Sequence, residues 1–170
     1  MPTPKPIAAS ILAPMSFPRV GGGHVAVGGP RDNWTLLVVY RGKHCPRCKK
    51  YLNILNGMRA DWAEAGFDIA VVSADNLEKA QSDQKEFGWD FALGYDLTEG
   101  QMAQLGVYVT EPLSSSEADR RFAEPGTFVI RPDGSLLSIS NGPSARPDLV
   151  ELLDGMIFTK QNDRPPRGTV

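Results

Sequence analysis

The sequence predicts an α/β fold in which a central sheet is flanked by helices and preceded by a β-hairpin. Three observations carry that prediction. Residues 34–40 are a continuous apolar, β-branched run, the pattern of a strand covered on both faces, and residues 67–73 read as a second buried strand. Segments with helical periodicity alternate with such runs, and the first three end at Gly66, Gly88 and Gly106, the residue that most often closes a helix. Arg131-Pro132-Asp133-Gly134 is hairpin-turn chemistry between two further apolar runs.

Taken in order, residues 1–16 are Pro-rich and aperiodic, which predicts an N-terminal arm or a strap laid over the domain. The folded domain is placed at 17–158 and a loose C-terminal tail at 159–170. Residues 20–29 read as a Gly-flanked hairpin around His24 and Val25. The strand at 34–40 runs directly into Arg41-Gly42-Lys43-His44-Cys45-Pro46-Arg47-Cys48. Beyond it, Leu52, Leu55, Met58, Arg59 and Trp62 recur at the spacing of one helix that stops at Gly66. After the strand at 67–73, residues 75–87 read as a surface helix with Asp75 as N-cap, an acidic side chain suited to unpaired helix N–H groups. Residues 91–95 form a short strand, and Asp96 with Glu99 has the shape of a capping box opening a helix that ends at Gly106. Residues 109–123 lack a period and read as a surface excursion. The hairpin at 128–130 and 136–139 follows, and residues 147–158 close the domain as a helix with Pro147 in its first turn.

Composition narrows the function classes. A chain of 170 residues fits one domain that buries roughly 70% of its unfolded surface. Hydrophobic residues at 41% and charged residues at 22% match ordinary globular proteins and exclude a disordered or fibrous chain. Eighteen basic against 20 acidic side chains leave a net charge of -2, so there is no electrostatic excess to hold nucleic acid. No apolar run approaches the roughly 20 residues of a membrane span. Ser10, Pro14 and Pro18 break up the apolar cluster at 7–13 before it resembles a secretory segment. The expectation is a cytoplasmic protein with neither nucleic-acid nor membrane partners.

The two cysteines, Cys45 and Cys48, close too short a loop to staple a fold, so they read as chemistry. Cys45 falls at a helix start, where unpaired N–H groups and the positive end of the dipole favour a thiolate. Pro46 suits the first helical position and leaves Cys48 one turn on. Arg41, Lys43, His44 and Arg47 add positive charge that lowers a thiol pKa. Two inert, buried cysteines are the plain alternative. A metal held by Cys45, Cys48, His44 and the distant His24 is another, but it lacks a second ligand pair at a recognisable spacing; no metal or cofactor is expected. His24 reads as a hairpin surface residue, and His44 either tunes Cys45 or is an exposed turn residue. Asp75 and Asp96 read as caps, with an acid/base role as the alternative. Gly21-Gly22-Gly23 and Gly28-Gly29 precede no helix and are turns rather than a phosphate loop. Leu149, Leu152, Leu153 and Ile157 form a core stripe, and Pro125 starts an edge strand.

Several motifs recur in a familiar order: Leu36-Leu37-Val38-Val39-Tyr40 before the cysteines, Ile69-Ala70-Val71-Val72-Ser73-Ala74-Asp75, Phe87-Gly88, Tyr95-Asp96, and Pro125-Gly126-Thr127-Phe128-Val129-Ile130-Arg131-Pro132-Asp133-Gly134. Over residues 17–158 this series resembles the thioredoxin-fold superfamily, and within it the peroxiredoxin-like AhpC/TSA branch (alkyl hydroperoxide reductase and thiol-specific antioxidant). The resemblance implies a thioredoxin-like fold with a mixed sheet and a thiol-dependent oxidoreductase that needs no cofactor. It implies Cys45 as the nucleophile, favoured by an exposed, electropositive helix start, and Cys48 as the resolving thiol that closes a Cys45–Cys48 disulfide. Arg41, His44, Arg47, Pro125 and Thr127 would tune the thiolate or position substrate, with a cis peptide bond before Pro125 presenting backbone to an extended substrate. The implied partners are a peroxide or disulfide substrate and a thiol reductant such as thioredoxin or glutathione; dimers are common among similar proteins.

The chain also departs from the branch. In its P-x-x-x-T-x-x-C pattern, Val38 stands where the Pro belongs and Gly42 where the Thr belongs, and Pro125 replaces the active-site Arg. Arg41 is the spatial substitute the sequence offers. Peroxide reduction therefore stands beside two alternatives: thiol:disulfide exchange on protein or small-molecule disulfides, and a redox-sensing or metal-handling binding module.

Overall fold

In the computed structural model, which describes residues 4–170, strand β1 (Met15–Pro18) pairs antiparallel with β2 (His24–Val27). The expected hairpin is present but starts earlier, because Met15 and Phe17 alternate inward and extend the ladder into the Pro-rich segment. Then follow β3 (Trp34–Val39), α1 (Pro46–Gly57), α2 (Arg59–Glu64), β4 (Phe67–Val72), α3 (Leu77–Phe87) and β5 (Ala92–Gly94). The chain continues through α4 (Glu99–Leu105), β6 (Val109–Thr110), β7 (Phe122–Ala123), β8 (Gly126–Ile130), β9 (Leu136–Asn141) and α5 (Leu149–Gln161). Met1 to Thr3 of the N-terminal arm lie outside the described residues.

The main sheet has five strands in the order β5-β4-β3-β8-β9. β3 is parallel to β4 and antiparallel to β8, so the sheet is mixed, as a thioredoxin-like fold requires. Side chains along a strand alternate between faces, and both faces of β3 are covered. Leu37 and Val39 pack with Phe17, Val72, Met102 and Phe128 on one side. Leu36, Val38 and Tyr40 pack with Leu52, Leu55, Trp62 and Leu153 on the other. Each such side chain contributes about 1.5–3 kcal/mol by leaving water, so the central strand that aims the cysteine turn is the best-anchored element. Residues 9–12 run along the sheet edge as a strap, Ala9 N–H donating to Leu136 O and Leu12 N–H to Gly134 O. No helix among the described residues is long and apolar enough to cross a membrane.

Local chemistry moves several boundaries. The single helix expected after the cysteines is two, broken at Met58 (φ -102, ψ 7) after Gly57. Glycine is a weak helix former, and Arg59 Nε takes the Asn56 carbonyl (3.0 Å) that a continuing helix would use. Asn76, not Asp75, caps α3, accepting from Lys79 N–H at 2.9 Å. The capping box of α4 is Thr98 with Gln101 rather than Asp96 with Glu99. Pro147 precedes the true cap of α5, Asp148, and that helix runs on to Gln161. Gly88 and Gly106 are left-handed stops, as expected. The excursion at 109–123 is closed at its base by the β6–β7 ladder.

Candidate active site

The cysteines sit where β3 hands the chain to α1. Tyr40 N–H donates to Val72 O at 3.1 Å, keeping the chain against β4 to the last residue before the turn. Residues 41–44 then swing out, and Cys45 becomes the N-cap of α1 with Pro46 in its first turn. Cys45 and Cys48 are joined as a disulfide with Cα atoms 5.3 Å apart, within the ordinary span of such a bond. Cys45 Sγ also accepts the Cys48 N–H at 3.2 Å, so an unpaired donor of the helix start already points at the sulfur that would carry charge. Cys45 is only 4% exposed and Cys48 2%; the exposed nucleophile expected from the sequence is instead part of the core beneath α1 in the disulfide form.

The basic residues around the pair are placed differently from their sequence reading. Arg41 lies against Glu124, Nε 3.1 Å from Oε2 and Nη2 donating to Oε1 at 3.3 Å, with its guanidinium over the Phe122 ring. Glu124 is 5% exposed and also accepts from Thr110 Oγ1 at 2.5 Å. Lys43 Nζ donates to Asp83 Oδ1 at 3.1 Å, and that carboxylate is fully buried. His44 packs on Phe122 with ring centroids 4.5 Å apart. Burial holds its pKa below the usual value, outweighing the upward pull of Glu117, which favours the neutral ring. Arg47 is exposed and makes no ion pair among the described residues. The strongly electropositive surround expected for Cys45 is therefore largely neutralised, which leaves the helix N-terminus as the feature of the turn that would favour negative charge on the sulfur.

Pro125 and Thr127 come to the other side of the disulfide. Together with Tyr40, Cys48, Tyr51 and Arg146 they line a cavity of about 10 Å³, the smallest space that admits one water. Tyr51 donates to Pro147 O at 2.5 Å, and burial pushes its hydroxyl up to about 12. No peptide bond among the described residues is cis; the bond before Pro125 is trans, which corrects the resemblance-based expectation. Glu124 N–H donates to Tyr108 O and Pro125 O accepts from Gly142 N–H, so the trans link from β7 to β8 is held by backbone bonds on both sides. His24 is exposed on β2 opposite Pro18, and no cluster of three or more metal-ligating side chains occurs among the described residues.

The sequence reading missed two buried carboxylates altogether, Asp83 and Glu124, and read a third, Asp75, as a cap with an acid/base role as the alternative. Asp75 is 7% exposed and accepts from Lys43 N–H through Oδ2 at 2.8 Å. Burial raises its pKa from 3.8 to about 6, against the lowering effect of that N–H and of Lys79. Tyr40 is pushed far above the ordinary tyrosine value by burial and by the Asp75 charge. Gly42, at φ 136, leaves room for this carboxylate: a Cβ there would meet Asp75 Oδ1 at 2.6 Å. Gly42→Ala is thus expected to lower stability by about 2 kcal/mol, combining left-handed strain with the collision, a loss that urea unfolding at pH 7 measures directly.

Comparison with known proteins follows the same lines. The profile of the AhpC/TSA family matches residues 12–139. Among solved structures, peroxidoxin BcpB from Mycobacterium tuberculosis superimposes with a TM-score of 0.74 at 18% identity, covering 90% of this chain and 97% of that one. A peroxiredoxin-like protein from Aquifex aeolicus gives 0.75 at 18% identity, over 89% and 86% of the two chains. Mycobacterium tuberculosis AhpC gives 0.72 at 14% identity, over 95% and 96%. At these identities the likeness is one of fold. No curated protein sequence matches the chain.

Proposed function

Because the chain belongs to the AhpC/TSA family, we propose that it is a thiol-dependent oxidoreductase that reduces peroxides through Cys45 and Cys48. The observation that carries this reading is the pairing of the two cysteines at a helix start with Cys45 Sγ facing the Cys48 N–H. In the reduced protein the Cys45 thiolate attacks a peroxide oxygen. The O–O bond breaks, the departing oxygen takes a proton as alcohol or water, and Cys45 becomes a sulfenic acid. The Cys48 thiol then attacks that sulfur, the S–O bond breaks, water leaves, and the Cys45–Cys48 disulfide closes. Two electrons have passed from the dithiol to the peroxide, and a thiol reductant such as thioredoxin or glutathione restores the pair.

A second reading, thiol:disulfide exchange, is favoured by one observation: Gly42 occupies the place of the family's Thr, while Pro125 lines the cavity beside Cys48. One variant separates the two. Cys48→Ser treated with hydrogen peroxide and a dimedone-type probe is expected to give a Cys45 sulfenic-acid adduct by intact mass. If it gives no adduct yet accumulates a mixed disulfide with an added disulfide substrate, the exchange reading replaces the peroxide one.

A further inference from the structure

The Gly42–Lys43 peptide group is held at both ends. Its N–H donates to Asp75 Oδ2 at 2.8 Å, and its carbonyl accepts the Cys45 N–H at 3.1 Å. Hydrogen bonds in such a chain polarise one another, more so in a dry interior. Asp75 differs from Glu124 and Asp83, which grip cationic side chains: it makes no ion pair among the described residues and directs its carboxylate at backbone. Gly42 is the residue that lets the carboxylate approach this closely.

We propose that Asp75 is a positioning residue for the dithiol: its ionised carboxylate fixes the peptide plane that holds Cys45 as the N-cap of α1. Asp75 touches neither sulfur and acts through that one peptide group. Since burial places its titration near pH 6, the hold on Lys43 passes from a charge-assisted to a neutral hydrogen bond as the pH falls, and charge-assisted bonds are about twice as strong. The groups facing it are Tyr40 from β3, Ser73 from β4, Lys79 and Asp83 from α3, and Lys43 from the turn. Asp96 lies beside it through its N–H to Asp75 O, with its own charge met by Arg120.

The inference deepens the proposed dithiol chemistry but is tested first without it. In the oxidised protein the cysteines do not titrate, so amide exchange of Lys43 reports on the turn alone. Corrected for intrinsic exchange, Lys43 protection in the wild type is expected to rise about tenfold between pH 5 and 7, the scale of one strengthened hydrogen bond. In Asp75→Asn, which keeps an acceptor but cannot ionise, it is expected to stay flat. Alkylation of the reduced proteins by iodoacetamide at pH 7.5 gives the second arm. Asp75→Ala is expected to react about tenfold more slowly at Cys45 and Asp75→Asn to fall between it and wild type, because the first loses the acceptor and the second only its charge. Equal Lys43 protection at both pH values in the wild type, or an unchanged step in Asp75→Asn, overturns the proposal even if Asp75→Ala does not fold. A normal step in a protein that does not reduce peroxide overturns the proposed function and leaves the positioning role standing.

Discussion

Cys45→Ser is expected to abolish turnover with peroxide and disulfide substrates alike. Thiolate is the attacking species in both reactions, and a serine hydroxyl at the same helix start has no comparable ionised fraction near neutral pH. The hydroxyl still fits the N-cap and accepts the Cys48 N–H as the sulfur does, since Ser is a preferred cap. The variant should therefore fold and fail only in chemistry. Reductant consumption with hydrogen peroxide and with a small disulfide measures it. Substantial residual turnover would move the attack to Cys48, which lies deeper in the helix and has no other activating contact.

The second large effect concerns stability and runs against intuition, because removing a charge from the site is expected to strengthen the fold. Asp75 titrates at about 6 in the folded protein against 3.8 for an ordinary carboxyl. Between those values the folded state binds more protons than the unfolded one, so stability falls as pH rises from about 4 to about 6. Above pH 6 the ionised group costs the fold about 3 kcal/mol relative to its neutral form. Asp75→Asn keeps the shape and an acceptor for Lys43 N–H without the charge. It is expected to be more stable than wild type by about 2–3 kcal/mol at pH 7.5, roughly 5–10 °C in Tm for a domain of this size. The two proteins should converge near pH 4. Thermal unfolding at both pH values is the check; an Asn variant less stable at pH 7.5 would mean that the ionised carboxylate is a net stabiliser. A group kept charged at a cost to the fold is common where function needs it.

What the sequence made legible was whatever depends on local pattern. The buried run that became β3, the Pro-Asp-Gly turn between β8 and β9, the left-handed stops at Gly88 and Gly106, and the Cys-X-X-Cys helix start were all readable. Boundaries set by single side chains were not. Asn76 outcompeted Asp75 as a cap because Asp75 turns inward to Lys43. Thr98-x-x-Gln101 was as good a capping box as Asp96-x-x-Glu99, and only the positive φ of Asp96 (53) decides between them.

The site was half legible, for a physical reason. Counting basic residues near Cys45 gave a positive field, but charge is local only when its partner is known. Glu124 is far along the chain from Arg41, and Asp83 sits on α3, far along the chain from Lys43 in the turn before α1. No periodicity or motif announces such pairs, although Gly42 carried a trace of them: a glycine just before the cysteine turn marks a close approach by something. Pro125 lines the cavity that also holds Cys48, while the isomer of its peptide bond is set among Glu124, Tyr108 and Gly142 and could not be read from the residue itself.

On the proposed function, this helix start activates Cys45 toward peroxide without the family's usual Thr and Arg. Stopped-flow oxidation of the fully reduced protein by hydrogen peroxide tests it most directly. Tryptophan fluorescence follows the reaction, since Trp89 packs edge-on against Tyr40 beside the disulfide, and intact mass confirms loss of two hydrogens. Oxidation is expected to be far faster than that of an unactivated thiol and to end in the Cys45–Cys48 disulfide. A rate no better than that of a free thiol would contradict it and leave disulfide exchange as the chemistry of the site.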